Sequence, residues 1–268
     1  MNSPLGLNFR GRIHLLVWAQ RGVWLLPVGV WWGMSALRSL PLAAAVATCA
    51  LAAVALRAWE HSLRRRCVRE ARLPTFLAEK LMAKHPELTR REAELVLHGL
   101  RQFFLAHLRS GFKFVAMPSR VVDDAWHEFI LHTRGYQAWC AVAFGKLLHH
   151  TPAEVLGRNP QRNDGLRRTW YWACKEEGIN PRQPSRLPLL FALDKKLGIA
   201  DGFSYVPDCR DINRQGGSGV YCGTGFVESG SGGADGDPGG FGGSEPSASG
   251  DGGSGDGGGD GGGGCGGD

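Results

Sequence analysis

Residues 89–135, TRREAELVLHGLRQFFLAHLRSGFKFVAMPSRVVDDAWHEFILHTRG, decide the fold class. Thr89 followed by Glu92 is the signature of a capping box. It opens a run in which Ala93, Val96, Leu97, Leu100, Phe103, Phe104 and Leu108 recur at the helical period. Gly111 is the expected stop. Ser119, after Pro118, predicts the cap of a second helix running to about Thr133. Asp123 and Asp124 fall in its first turns, where the helix dipole favours anions. Gly135 is expected to break that helix and to start a third over residues 136–148, with His149 and His150 at its C-terminus.

Further along, Thr151-Pro152-Ala153-Glu154 reads as another helix start, with proline at the first helical position. A helix is expected over residues 166–177, stopped by Gly178, and a short last one over residues 187–197. Alternating patterns are scarce, and residues 112–116 and 203–206 alone suit short extended pieces. The fold class is therefore mainly α, with a compact multi-helix domain set at residues 73–210. On the order of 140 residues are enough to bury a stable core.

N-terminal to this domain the chain changes character. Residues 22–37, GVWLLPVGVWWGMSAL, and 40–56, LPLAAAVATCALAAVAL, are almost wholly apolar, with Arg38 and Ser39 between them. Each falls slightly short of the ~20 residues of a spanning helix, and each can be extended. We expect a transmembrane helical hairpin over residues 13–59, with helices at about 13–37 and 40–59. Residues 1–12 form a flank and residues 60–72 a basic juxtamembrane segment. Arg10 and Arg12 precede the hairpin, and Arg57, Arg64, Arg65, Arg66, Arg69 and Arg72 follow it. Such asymmetry places both flanks in the cytoplasm, so that Arg64, Arg65, Arg66 and Arg69 would face anionic lipid at the inner membrane. Competing readings are a cleaved signal peptide, a buried helical pair, and a single span with the first stretch re-entrant. The second stretch has no polar face, which opposes a surface helix.

The other end is a glycine-rich tail, set at residues 211–268 and expected to be disordered, with Val220, Tyr221, Phe226 and Val227 as residues able to dock on the domain. Glycine loses the most entropy on ordering, and little apolar surface compensates. After Arg214 the tail has no Lys or Arg and carries Glu228, Asp235, Asp237, Glu245, Asp251, Asp256, Asp260 and Asp268. Removing this charge of −8 from the net +6 leaves +14 on the rest. A basic body next to an anchor suits a lipid bilayer, and a protein partner is the other expectation. Nucleic acid is disfavoured, because charge is its sole support. The seven cysteines are scattered and never in a C-x-x-C pair, which favours a reducing compartment over a disulfide framework.

One polar constellation stands out. Asp123, His127, Ile130 and Arg134 lie at helical spacings on one face, and Asp124 reaches His127 at i+3. Folding the third helix back would bring His149 or His150 to that face. Three imidazoles and two carboxylates could then converge, a set that Zn, Fe or Mn accepts. The metal candidates are His127, His150 and Asp123, although no motif names a cofactor. The same groups could do acid–base work. They also suit a structural hydrogen-bonded network, and the tight H-E-x-x-H spacing is missing. Phosphate-cradling loops and G-x-S-x-G elements are missing too. Cys140 reads as a packed core thiol.

Asp123-Asp124-Ala125-Trp126-His127, with Leu131, Thr133, Tyr136, Phe144-Gly145 and His149-His150-x-Pro152, resembles the glycine-rich-domain-containing-protein-like group. Arg168-Thr169-Trp170 and Leu187-Pro188-Leu189-Leu190-Phe191-Ala192-Leu193-Asp194 are similar to segments of its bacterial members. The resemblance spans residues 73–209, about half the chain, and rests on the D-x-x-W-H core. It implies a Gly-rich C-terminus but no mechanism. Plant relatives are linked to development and stress, and some add an RNA-binding module. This chain has no such module, and its apolar hairpin departs from the plant pattern. The leading functional expectation is a membrane-anchored interaction or scaffold domain on the cytosolic face. The alternative is a metal-binding domain or metal-dependent enzyme using Asp123, Asp124, His127, His149 and His150, with Trp126 and Tyr136 completing the family motif and candidate polar site.

Overall fold

The computed structural model describes residues 9–25, 39–150, 164–211 and 220–226. Eight α-helices are found among the described residues: α1 (Phe9–Val23), α2 (Ser39–Glu70), α3 (Phe76–Lys84), α4 (Arg90–Arg109), α5 (Arg120–Leu131), α6 (Thr133–Ala143), α7 (Asp164–Glu176) and α8 (Leu189–Lys196). Two three-residue strands, β1 (Ser204–Val206) and β2 (Val220–Cys222), pair in parallel with Ser204 opposite Val220. The helix expected at Thr151 and the tail beyond residue 226 lie outside the described residues.

Helix α4 is the hub of the core. Thr89 caps it with the expected box: its hydroxyl accepts from the Glu92 N–H, and its own N–H donates to Glu92 Oε2 at 2.8 Å. All seven apolar residues read from the periodicity are buried. The helix ends where Gly111 takes φ +71°, a conformation costly for a side chain with Cβ. Helices α3, α5, α7 and α8 pack around it. At Gly99 a Cβ would stand 2.5 Å from the Leu193 side chain, so glycine permits the close approach of α4 and α8.

Asp194 connects α8 to α5. Its buried carboxylate accepts from the Ser119 hydroxyl at 2.7 Å and from the N–H groups of Arg120, Val121 and Phe203 at 2.7, 3.2 and 2.9 Å. A carboxylate at a helix N-terminus satisfies orphan donors and complements the dipole.

Several boundaries differ from the sequence reading. Helix α5 stops at Leu131, and α6 begins at Thr133, so Gly135 lies inside a helix and breaks none. The kink falls at His132, whose ring lies over Gly135 and meets the Phe76 ring edge-on at 4.7 Å. Helix α6 ends at Ala143, short of Leu148, because Gly145 turns the chain at φ +80°. His149 and His150 therefore follow a loop. Residues 112–116 form no strand, since their carbonyls are taken from the side: Arg168 donates to Phe114 O and Thr169 to Ala116 O, both at 2.8 Å. The boundary at residue 211 also moves. Cys209 and Cys222 are disulfide-bonded, against the expectation of scattered thiols. Phe226 is fully buried on Trp170, Phe191 and Tyr205.

At the N-terminal side α2 is a single unbroken helix that runs through the apolar segment into the basic one. Ala43–Glu70 is the one span among the described residues long and apolar enough, by length and composition, to cross a membrane, with mean hydropathy 1.4 over its apolar 18-residue stretch. Helix α1 packs on it through Ile13, Leu16 and Leu63, and Gln20 donates to Glu60 at 2.7 Å. The first expected span reaches into residues 26–38, outside the described residues. Leu15, Trp18, Leu25, Leu51, Val54 and Trp59 are exposed.

The expected lipid-facing run is partly turned inward. Arg64 is buried, paired with Glu60 at 2.6 Å, and donates to the Val142 carbonyl at 2.8 Å. The last carbonyls of α6 attract that cation. Arg69 forks onto Glu176, which also holds Arg109 at 3.0 Å. Arg65 is half-buried, and Arg66 is exposed.

Two predictions follow from this core. Asp194→Ala strands the Ser119 hydroxyl and three backbone donors, so urea unfolding should show a loss of roughly 3 kcal/mol or more. His107 is buried at the end of α4 with Nδ1 3.2 Å from Lys113 O. Burial is the main cause that lowers its imidazole to about 4, opposed by that carbonyl and assisted by Lys146. Between the unfolded value of about 6.5 and the folded one, the unfolded chain binds more protons. Stability should therefore fall as pH drops through that window, by about 3 kcal/mol in total, and this group adds no further loss below it. Thermal melts from pH 7 to 4 test this, with His107→Gln flattening the profile.

Candidate metal centre

The rim of α5 carries the site. Asp123 and His127 are one helical turn apart, with Oδ2 3.7 Å from Nδ1. His150 arrives from the segment after α6, and its Nε2 lies 3.0 Å from Asp123 Oδ1. The two imidazole rings stand 4.4 Å apart between centroids. One ligand atom from each of the three residues lies within 4.8 Å of the others. Two ligands each about 2.0–2.1 Å from one ion stand at most about 4.2 Å apart, so modest side-chain rotation closes the set.

The support beneath these ligands is aromatic. Trp126 is buried, with its ring 4.9 Å from that of Phe103 and 4.8 Å from that of His150. Its indole N–H donates to Tyr136 Oη at 3.1 Å, and Tyr136 Oη donates to the Leu148 carbonyl at 2.6 Å. This relay fixes the segment that delivers His150. Burial raises the Tyr136 phenol well above its ordinary range, so it stays a protonated donor. Burial likewise raises the Cys140 thiol, which keeps it out of nucleophilic chemistry.

Not every expected residue joins. Asp124 points the other way, to Lys84 Nζ at 2.6 Å and His85 Nε2 at 2.8 Å. Burial pushes its carboxyl up, but those two partners outweigh it and hold the group below its ordinary value. His149 is exposed and outside the cluster. The sequence reading missed Lys84 and His85 as partners of Asp124. Their signal, a Lys-His pair at the end of a short helix, is weak without the tertiary fold.

The three residues are accessible. Side-chain exposure is 44% for His127, 30% for Asp123 and 19% for His150, so one side of the cluster is open to solvent. Two imidazole nitrogens and one carboxylate oxygen suit Zn, Fe or Mn, and they leave further coordination positions free.

A family model described as UCP032817-like matches residues 63–226, from the C-terminal part of α2 to the turn that ends in Phe226. No curated protein and no solved structure matches the chain.

Tyr136→Phe removes the donor to Leu148 and the acceptor of Trp126. Leaving these buried groups unpaired should cost about 1–3 kcal/mol in denaturant unfolding. The His150 ring should also lose its fixed place, seen as NMR line broadening of its imidazole protons. A sharp, unmoved His150 signal would contradict the relay.

Proposed function

The chain belongs to the UCP032817-like family, which is uncharacterised, and we propose that it is a membrane-anchored protein whose helical domain binds a first-row divalent metal through Asp123, His127 and His150. The observation that carries this reading is the convergence of the three ligand atoms within 4.8 Å on a solvent-open rim. A purely structural role needs neither that opening nor a second imidazole beside the first. The D-x-x-W-H element gains a physical meaning: its first and last residues supply ligands, and its tryptophan supports the third.

Membrane anchoring rests on Ala43–Glu70 and on the exposed apolar side chains of α1 and α2. Soluble proteins rarely expose so many large apolar groups together. The arginine flanks favour a cytosolic domain at the inner membrane. A lipid-facing role is retained for Arg66, and a metal-bound domain held at a surface can also present itself to a protein partner.

The test is metal content of the full chain purified in detergent, followed by Co(II) titration. One equivalent is expected per chain. His127→Ala, His150→Ala and Asp123→Asn should each lower affinity by roughly 100-fold while the melting temperature of the metal-free protein stays close to wild type. No stoichiometric metal, with variants that only melt earlier, would make the three residues a structural network. The anchored interaction domain would then be the reading left standing.

A further inference from the structure

The Cys209–Cys222 disulfide has no part in the metal reading, and its setting differs from that of the other described cysteines. Cys49, Cys67, Cys140 and Cys174 are buried and free. Cys222 is only 1% exposed, whereas Cys209 is half-buried and lines an open groove with Arg182, Gln183, Pro184, Arg210 and Thr224. The Thr224 hydroxyl donates to Cys209 Sγ at 3.1 Å, and the Cys209 N–H donates to Thr224 Oγ1 at 2.9 Å. Cys209 thus lies at the groove, while Cys222 is sealed in the interior.

What the bond closes is equally specific. Strands β1 and β2 pair over three residues, too short a ladder to persist alone. Behind them the chain places Gly223 flat on Trp170, where a Cβ would meet the ring at 2.2 Å. Phe226 then fills the space between Trp170 and Phe191, and Arg167 Nε donates to the Phe226 carbonyl at 2.8 Å. Residues 220–226 are therefore a closing segment of the core, fastened covalently at one end.

We propose that Cys209–Cys222 is a redox-controlled clasp, opened by a small cellular thiol of the glutathione class that enters from the groove. Its thiolate attacks Cys209 Sγ, forming a mixed disulfide there and breaking the Cys209–Cys222 bond. The electron pair leaves on Cys222, which takes up a proton. A second thiol displaces Cys209, giving the oxidised thiol dimer and two protein thiols. The net change is two electrons and two protons to the protein. Attack is confined to the sulfur at the groove, since thiol–disulfide exchange depends on which sulfur can be reached. The inference rests on the cytosolic orientation proposed above, since disulfides on that side are rare and, where present, usually transient or redox-sensing. Opening removes the constraint on residues 220–226 and uncovers Trp170 and Phe191 as an apolar surface.

Hydrogen exchange read by mass spectrometry on the full chain in detergent tests the clasp. Three samples are compared: oxidised protein, protein treated with reduced glutathione, and the Cys209→Ser/Cys222→Ser variant. Amides of residues 204–206 and 220–226 should exchange at least roughly tenfold faster in the second and third samples, with α4 and α7 unchanged. Quenching during reduction should trap glutathione on Cys209 and not on Cys222. Unchanged protection of residues 220–226 after reduction would overturn the proposal. So would a bond that yields only as α4 and α7 unfold, or thiols that stay free after treatment with oxidised glutathione. None of these readouts depends on metal, so failure of the clasp and failure of the metal site are separable.

Discussion

The carboxylate of Asp194 sits under the first turn of α5, with four hydrogen bonds and almost no contact with water. That one group sets where α5 begins, how α8 lies against it and where the chain turns at Phe203. Burying a carboxylate is costly unless it is fully hydrogen-bonded, so the geometry around it tolerates little variation. Gly202 shows the same tightness: a Cβ there would stand 2.7 Å from Asp194 Cβ. Helix α5 in turn carries Asp123, Trp126 and His127, so the candidate centre inherits its position from a residue far from it in sequence.

Local signals foresaw the cores of the helices well. The Thr89–Glu92 box and the face from Ala93 to Leu108 stand where the periodicity put them, because capping and amphipathicity are decided within a few residues. Helix ends that depend on distant partners were not legible. Gly135 looked like a breaker, yet the kink falls on His132, whose ring is held by Phe76 from another helix. Arg64 looked like one of a lipid-facing row, yet the carbonyl end of α6 takes it. The tail boundary at residue 211 falls too early for the same reason, although Tyr221 and Phe226 were readable as residues able to dock. Composition at residue 211 reads as solvent-loving, whereas the disulfide and Phe226 hold the segment through contacts that only the fold creates.

The candidate centre divides in the same way. Asp123 at i+4 and Asp124 at i+3 are both within a helical turn of His127, so spacing alone left either able to join it. Position in sequence did not say which would, and the answer lies with Lys84 and His85, which capture Asp124. His149 and His150 are a second ambiguous pair. It is resolved by the Trp126–Tyr136–Leu148 relay, which presents His150 to Asp123. The adjacent acids and the adjacent histidines were readable as a cluster, but their separate duties were not.

Helix α2 has one last implication. Its 32 residues make a rod of about 48 Å, and on the proposed anchoring a bilayer's hydrocarbon core takes about 30 Å of it. The remainder is clamped into the domain by Arg64 and by the Arg69–Glu176–Arg109 bridge. The proposed anchor is then a mast where many anchored proteins have a tether. Height above the headgroups and tilt toward them become mechanical properties of the fold, so a change in bilayer thickness that leans the rod leans the whole domain. The reach of the Asp123 rim is then confined to whatever passes within a fixed, narrow layer beside the membrane.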